Sequence, residues 1–349
     1  VRSPTETANI QRPPSARLFR EPRVPEANRS EINQRRVSTN GIELNIAEQG
    51  EGPLVLMLHG FPESWYSWRH QIPAVASAGF HAVAPDMRGY GKSDKPADIS
   101  TYNQVEVTND IIGLISSLGY KTAIVFGHDW GAPTAWSCAL HHPDKVTAVG
   151  VLSVPFSPRA PAPPLDMMKE IFKDMFFYQL YFQEPGVAEK EWEKNVRVNL
   201  RKFYHIGSGA FDAGNFIAPK SPDSDLLSDM EDPGTLGTWC TESDLDFYTT
   251  EFEQSGFRGP LNYYRNHNLT WSLTEGGPEK ITQPALFVAG EKDGVIMLAA
   301  DALKNMPRYV TNLKVNQLIP GIGHWTQQEA PAEVNTLMID FITSVKQPI

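Results

Sequence analysis

The sequence predicts an α/β fold: a mostly parallel, doubly wound sheet with a helical cap inserted into it. Three observations carry this. The runs Leu54–Leu58, Ile124–Gly127 and Ala285–Gly290 are continuously apolar, as strands covered on both faces are. Segments of helical character alternate with the strand-like runs. Between about residues 156 and 270 that alternation stops, and aromatic, charged and helix-favouring residues take over. The expected division is an arm over 1–34, a core over 35–155 and 271–349, and a cap over 156–270.

The arm is rich in Arg and interrupted by Pro4, Pro13, Pro14, Pro22 and Pro25, with no helical or strand period. Asn40-Gly41 between alternating residues predicts a hairpin. After the Leu54–Leu58 strand comes a helix over 63–78, then a short strand over 80–85 and a glycine-broken loop over 86–93. A helix over 101–118 leads to the strand that ends at Gly127. Val146 to Val154 is one more strand, and residues 157–164 are Pro-rich. Beyond the cap, the Ala285–Gly290 strand is followed by a helix near 299–305, a strand near 313–319 and a last helix over 333–344.

Composition excludes several classes of function. The chain has 349 residues, 41% of them hydrophobic, and a net charge of −10 with pI near 5.4, so no large basic surface is available to nucleic acid. No apolar run reaches the length of a membrane span. Cys138 and Cys240 make no disulfide framework, and no Cys/His spacing suggests a metal site. The expected location is the cytoplasm, with a processed exported form left open because the chain starts at Val1. Oligomeric state is also left open, a homodimer being the assembly to look for.

In Gly127-His128-Asp129-Trp130-Gly131, Asp129 stands where a strand turns sharply into a helix, which lifts its side chain above the sheet. In the nucleophile elbow of α/β hydrolases that residue is usually Ser. A carboxylate attacking a saturated carbon forms an ester, which water can cleave; a serine would form an ether. An Asp elbow therefore points to epoxide opening or dehalogenation. Such a site needs an acid and then a His at later strand ends. Asp293 follows one strand, with Glu291 as the alternative acid, and His324 follows the last; Asp293 would orient His324, which would activate water. Backbone N–H groups of Phe61 and Trp130 are placed to stabilise an oxyanion, at about 3 kcal/mol per donor. Pro62 has no N–H and is a candidate for a cis bond. His59 and His128 read as structural. Opening an epoxide requires a proton donor, and a phenol near pKa 10 suits. Tyr178, Tyr181, Tyr204, Tyr248, Tyr263 and Tyr264 are all available in the cap, and composition does not choose among them.

From about residue 36 to 344 the chain resembles epoxide hydrolases of the α/β-hydrolase superfamily, including the hydrolase domain of soluble epoxide hydrolase. The resemblance rests on His59-Gly60-Phe61-Pro62-Glu63, Asp86–Gly91, Gly127–Gly131, Tyr178–Gly186, Gly256–Asn266 and Gly323-His324-Trp325. It implies that Tyr178 and Tyr264 hold the epoxide oxygen above Asp129, that Tyr181 and Tyr263 are packing, and that Pro62, Gln179 and Trp325 line the substrate pocket. It implies a small-molecule epoxide and water as reactants, a vicinal diol as product, and no metal or organic cofactor. The phosphatase domain of the mammalian relative is not matched. Haloalkane or haloacid dehalogenation on the same fold is the alternative. Against it, Phe61 stands where a haloalkane dehalogenase carries a halide donor, and Trp130 where a fluoroacetate dehalogenase carries Arg.

Overall fold

Asn40 and Gly41 both take positive φ, 45° and 76°, the two-residue turn whose twist suits a hairpin. They join β1 (Asn33–Thr39) to β2 (Ile42–Gln49) in antiparallel register, from Asn33 opposite Glu48 to Thr39 opposite Ile42. The strand thus begins two residues inside the expected arm, because Asn33 and Gln34 find cross-strand partners. The computed structural model describes residues 32–211 and 220–345, so residues 1–31 of the expected arm lie outside the described residues.

Six further strands complete one sheet: β3 (Leu54–Leu58), β4 (His81–Pro85), β5 (Ala123–His128), β6 (Val146–Leu152), β7 (Ala285–Gly290) and β8 (Leu313–Ile319). Their order is β1-β2-β4-β3-β5-β6-β7-β8. β2 pairs antiparallel with β4, and the pairs from β4 to β8 are parallel. Chain order reverses beside β3, with β4 on one side and β5 on the other. Loops leaving β3 and β5 therefore diverge and open a crevice at their carboxyl ends.

The core helices are α1 (Gln71–Ser77), α2 (Gln104–Ser117) and α3 (Gly131–His141). The cap, between β6 and β7, contributes α4 (Pro164–Ile171), α5 (Tyr178–Tyr181), α6 (Val187–Glu193), α7 (Val196–Gly207), α8 (Glu242–Ser255), α9 (Arg258–Asn262) and α10 (His267–Leu273). After β7 come α11 (Gly294–Leu298), α12 (Ala300–Asn305), α13 (Thr326–Glu329) and α14 (Pro331–Val345).

Strand alternation sorts the core into two layers. Leu54, Leu56 and Leu58 pack with Val107, Ile111 and Leu114 of α2 on one side. Val55 and Met57 pack with Ile72 of α1 and with Met338 and Phe341 of α14 on the other. The continuous apolar runs are the consequence of both faces being covered.

The helix expected over 63–78 is in fact a 3₁₀ turn, Trp65–Trp68, followed by α1. Pro73 explains the break. It lacks the N–H that a through-running helix would aim at the Arg69 carbonyl, and its ring would collide there. Likewise α2 starts at Gln104 because the Asn103 side chain accepts from the N–H groups of Val105 and Glu106. The helix expected near 299–305 is α12, and before it stands the further short helix α11, which Asp293 caps by accepting from Val295 N–H.

The cap is fastened to the core through buried polar bonds. The Arg69 guanidinium, 1% exposed, lies 3.1 Å from Asp244 of α8 and donates to Gln328 Oε1 at 2.6 Å and the Trp239 carbonyl at 3.0 Å. Tyr263 donates to the Arg88 carbonyl and Tyr204 to the Pro62 carbonyl. Among the described residues no helix is long and apolar enough to cross a membrane.

Candidate active site

Four loops at strand carboxyl ends meet in the crevice. Asp129, directly after β5, has φ +49°, a backbone state L-residues rarely adopt. The turn is possible because its neighbours are glycines: a Cβ on Gly127 would lie 2.0 Å from the Gly131 carbonyl oxygen. Gly60, after β3, is as constrained, for a Cβ there would sit 2.3 Å from Asp129 Oδ1 and 2.5 Å from Trp130 N. Only a bare backbone lets the loop approach the carboxylate.

Asp129 Oδ1 accepts from Phe61 N–H at 2.6 Å, and Oδ2 lies 3.4 Å from His324 Nε2. Trp130 N faces Gly60 on the same side as this oxygen, both within 2.5 Å of where a Gly60 Cβ would sit. His324 Nδ1 is 3.1 Å from both oxygens of Asp293, which is fully buried. Glu291 is exposed and accepts from Gly321 N–H, so Asp293 is the carboxylate at the imidazole. Burial alone would raise the Asp129 pKa, but the bond and charge of His324 outweigh it and hold the carboxylate below its usual range. Burial would lower His324; the charges of Asp293 and Asp129, with their hydrogen bonds, overcome that and raise it well above an ordinary imidazole.

Glu63 reads in the sequence as the start of a helix and the last residue of the His59–Glu63 motif, with no role assigned, yet it organises the centre of this site. Its side chain is fully buried and has four donors. Oε2 accepts from Gly60 N–H at 3.1 Å and lies 2.8 Å from His128 Nδ1; Oε1 accepts from Gln327 at 3.2 Å and Gln328 at 3.0 Å. His128 Nε2 donates in turn to the His324 carbonyl at 2.7 Å. One carboxylate thus ties the loop carrying Phe61 to the elbow and to the loop carrying His324. Burial would raise the Glu63 pKa, but the His128 charge and bond keep it lowered. Glu329 braces the same His324 loop, accepting from the N–H groups of Gly323 and Trp325. His59 is a strut: Nδ1 faces the Gly60 carbonyl and Nε2 accepts from Met87 N–H.

The cap closes over Asp129 with Tyr178 and Tyr264, whose rings are 6.0 Å apart. Tyr264 stands edge-on to Trp130 at 5.0 Å and to Phe61 at 5.5 Å. Burial first, and then the Asp129 charge, raises both phenol pKa values, so both rings carry their protons at neutral pH. The other cap tyrosines spend their hydroxyls elsewhere: Tyr181 on Glu191, Tyr204 on the Pro62 carbonyl, Tyr248 on Gln328 and Tyr263 on the Arg88 carbonyl.

Asp129, Tyr178 and Tyr264 form a wall common to two chambers. The larger, about 350 Å³, also has Gln179, Trp130 and His267 in its lining. Gln179 Nε2 donates to the Tyr178 hydroxyl at 2.9 Å. The smaller, about 40 Å³, is lined by Phe61, Asp293, His324 and Trp325 and has room for about one or two waters. Pro62, expected in the pocket wall, lines neither chamber. Its bond to Phe61 is cis, and its carbonyl is engaged by Tyr204, which draws the residue into cap–core packing. Among the described residues no cluster of His, Cys, Asp or Glu is suited to hold a metal ion.

Residues 53–190 match the α/β-hydrolase fold family. The chain is 41% identical over 325 residues to epoxide hydrolase A of Mycobacterium tuberculosis, covering 90% of this chain and 98% of that protein. It is 43% identical over 314 residues to bifunctional epoxide hydrolase 2 of Mus musculus, covering 88% of this chain but 55% of that longer protein. Among solved structures, an epoxide hydrolase from an endophytic Streptomyces superposes with a TM-score of 0.87 at 44% identity, covering 90% of this chain and 96% of that one. Epoxide hydrolase A from Mycobacterium thermoresistibile gives 0.85 at 41%, covering 91% and 100%.

Proposed function

The chain belongs to the epoxide hydrolases of the α/β-hydrolase fold, and we propose that it opens its substrate through a covalent ester on Asp129. The observation that carries this reading is the common wall of the two chambers, where a carboxylate and two protonated phenols face one space. Asp129 attacks an epoxide carbon while Tyr178 and Tyr264 donate to the oxygen, and one phenol gives up its proton as the C–O bond breaks. Water in the smaller chamber then loses a proton to His324 and attacks the ester carbonyl. The N–H groups of Phe61 and Trp130 receive the oxyanion, at about 3 kcal/mol per donor. Collapse returns Asp129 and releases a vicinal diol; the proton taken by His324 restores the tyrosine through solvent.

Charge loss at Asp129 supports the order of these steps. In the resting site the carboxylate raises the pKa of His324, Tyr178 and Tyr264 together. Esterification removes that charge. His324 then holds its proton less tightly and can release it, leaving the neutral imidazole that accepts a proton from water, while each tyrosinate becomes easier to sustain.

A substrate panel tests the reading. Terminal, trans-disubstituted and styrene-type epoxides should be hydrolysed with kcat/KM about 10³-fold above haloalkanes and simple esters of similar size, the scale of general-acid help that only the epoxide's departing alkoxide draws from the two phenols. Halide release at a comparable rate would make the protein a dehalogenase instead.

A further inference from the structure

Helix α10 and the Thr274 that follows it present His267, Thr270, Trp271 and Thr274 to the larger chamber, positions at helical i, i+3, i+4 and i+7 spacing. Most of this face has its polar groups engaged. Thr270 Oγ1 accepts from Gln104 N–H at 3.0 Å, Trp271 Nε1 donates to the Ala160 carbonyl at 2.7 Å, and Thr274 Oγ1 donates to the Thr270 carbonyl at 2.9 Å. His267 differs. Among the described residues neither of its ring nitrogens has a hydrogen-bond partner, and Nε2 is sealed from solvent. The ring lies against Trp130, centroids 5.3 Å apart, next to the elbow.

Burial pushes the His267 pKa down to about 4, so the imidazole is neutral at any working pH. Its single proton has two places to sit. An orphaned N–H is costlier to bury than a bare nitrogen, so the sealed Nε2 is the bare one and the proton sits on Nδ1, the nitrogen that is not sealed. An unspent donor in a substrate chamber discriminates against ligands that leave it unpaired. The remaining charged groups in the lining are Asp129 and Arg159; Arg159 lies 3.8 Å from the Trp271 ring and donates through Nε to the Trp271 carbonyl.

We propose that His267 is a specificity-determining residue for the larger substituent of the epoxide. Its imidazole N–H donates to a neutral acceptor oxygen in that substituent, favouring oxygen-bearing epoxides of the glycidyl ether class over their hydrocarbon counterparts. This rests on the epoxide reading above.

The test uses benzyl glycidyl ether and 5-phenyl-1,2-epoxypentane, which differ by one ether oxygen in place of a methylene. The oxygen also activates the epoxide intrinsically, but that factor is the same for every enzyme variant and cancels when ratios are compared. His267→Phe keeps a ring and removes the donor; His267→Asn keeps a donor near the position of Nδ1. The ether-to-hydrocarbon ratio of kcat/KM should fall about three- to tenfold in His267→Phe, through KM for the ether, and recover in His267→Asn. His267→Leu repeats the measurement with a different shape, so poor folding of one variant does not remove the test. An unchanged ratio, or equal loss with both substrates, overturns the proposal and leaves His267 as packing. No turnover of either epoxide by the unmodified enzyme overturns the epoxide reading, and this proposal with it.

Discussion

His324→Gln is expected to open one epoxide and stop at the ester. Epoxide opening asks nothing of His324 but charge and position, whereas hydrolysis of the ester asks it to take a proton from water. Glutamine can still donate to Asp293 but cannot act as that base. The alkyl ester therefore accumulates on Asp129, and steady-state turnover falls about 10⁴-fold, the scale seen when one member of a cooperating triad is removed. Intact-protein mass spectrometry after mixing with epoxide should show one adduct equal to the mass of the substrate, and peptide mapping should place it on Asp129. Normal steady-state turnover, or a dead enzyme with no adduct, would exclude the assigned division of labour.

Replacing both cap tyrosines should block the other half of the reaction. Tyr178→Phe with Tyr264→Phe preserves ring volume and the edge-on contacts with Phe182 and Phe61, at 5.7 and 5.5 Å, so the cap should stay packed. What is lost is the proton for the departing alkoxide, and ester formation should slow by about 10⁴-fold. Each single substitution should cost less than half of this on a logarithmic scale, because the remaining phenol can still donate. Combined with His324→Gln, the double substitution should suppress the adduct. Turnover within tenfold of the unmodified enzyme would remove both tyrosines from the chemistry.

Much of the fold was legible because strand burial writes itself into composition. Leu54–Leu58, Ala285–Gly290 and Leu313–Ile319 have the expected bounds. The first two are covered on both faces, and the third alternates along its outer-edge position. Helix starts were less legible, since a side-chain cap or an internal proline outweighs periodicity, as at Asn103 and Pro73. At the site, Asp129, Asp293 and His324 could be found because each must follow a strand. The choice of Tyr178 and Tyr264 among six cap tyrosines came from resemblance alone; that the other four hydroxyls bond to Glu191, the Pro62 carbonyl, Gln328 and the Arg88 carbonyl is visible only in three dimensions. The role of Glu63 was missed for the same reason. Its partner His128 is 65 residues away, and no local pattern marks a buried carboxylate with four donors. Pro62 was misplaced because adjacency to Phe61 in sequence did not carry it into the chamber wall.

The covalent ester on Asp129 is the central claim, and single turnover in ¹⁸O-labelled water tests it most directly. With enzyme in excess, the ester route takes the new diol oxygen from the Asp129 carboxylate. The first diol should therefore be unlabelled at that position, and one ¹⁸O should appear in the peptide carrying Asp129. Heavy label in the first diol with none in the peptide would mean that water attacks the epoxide directly, and would contradict the account.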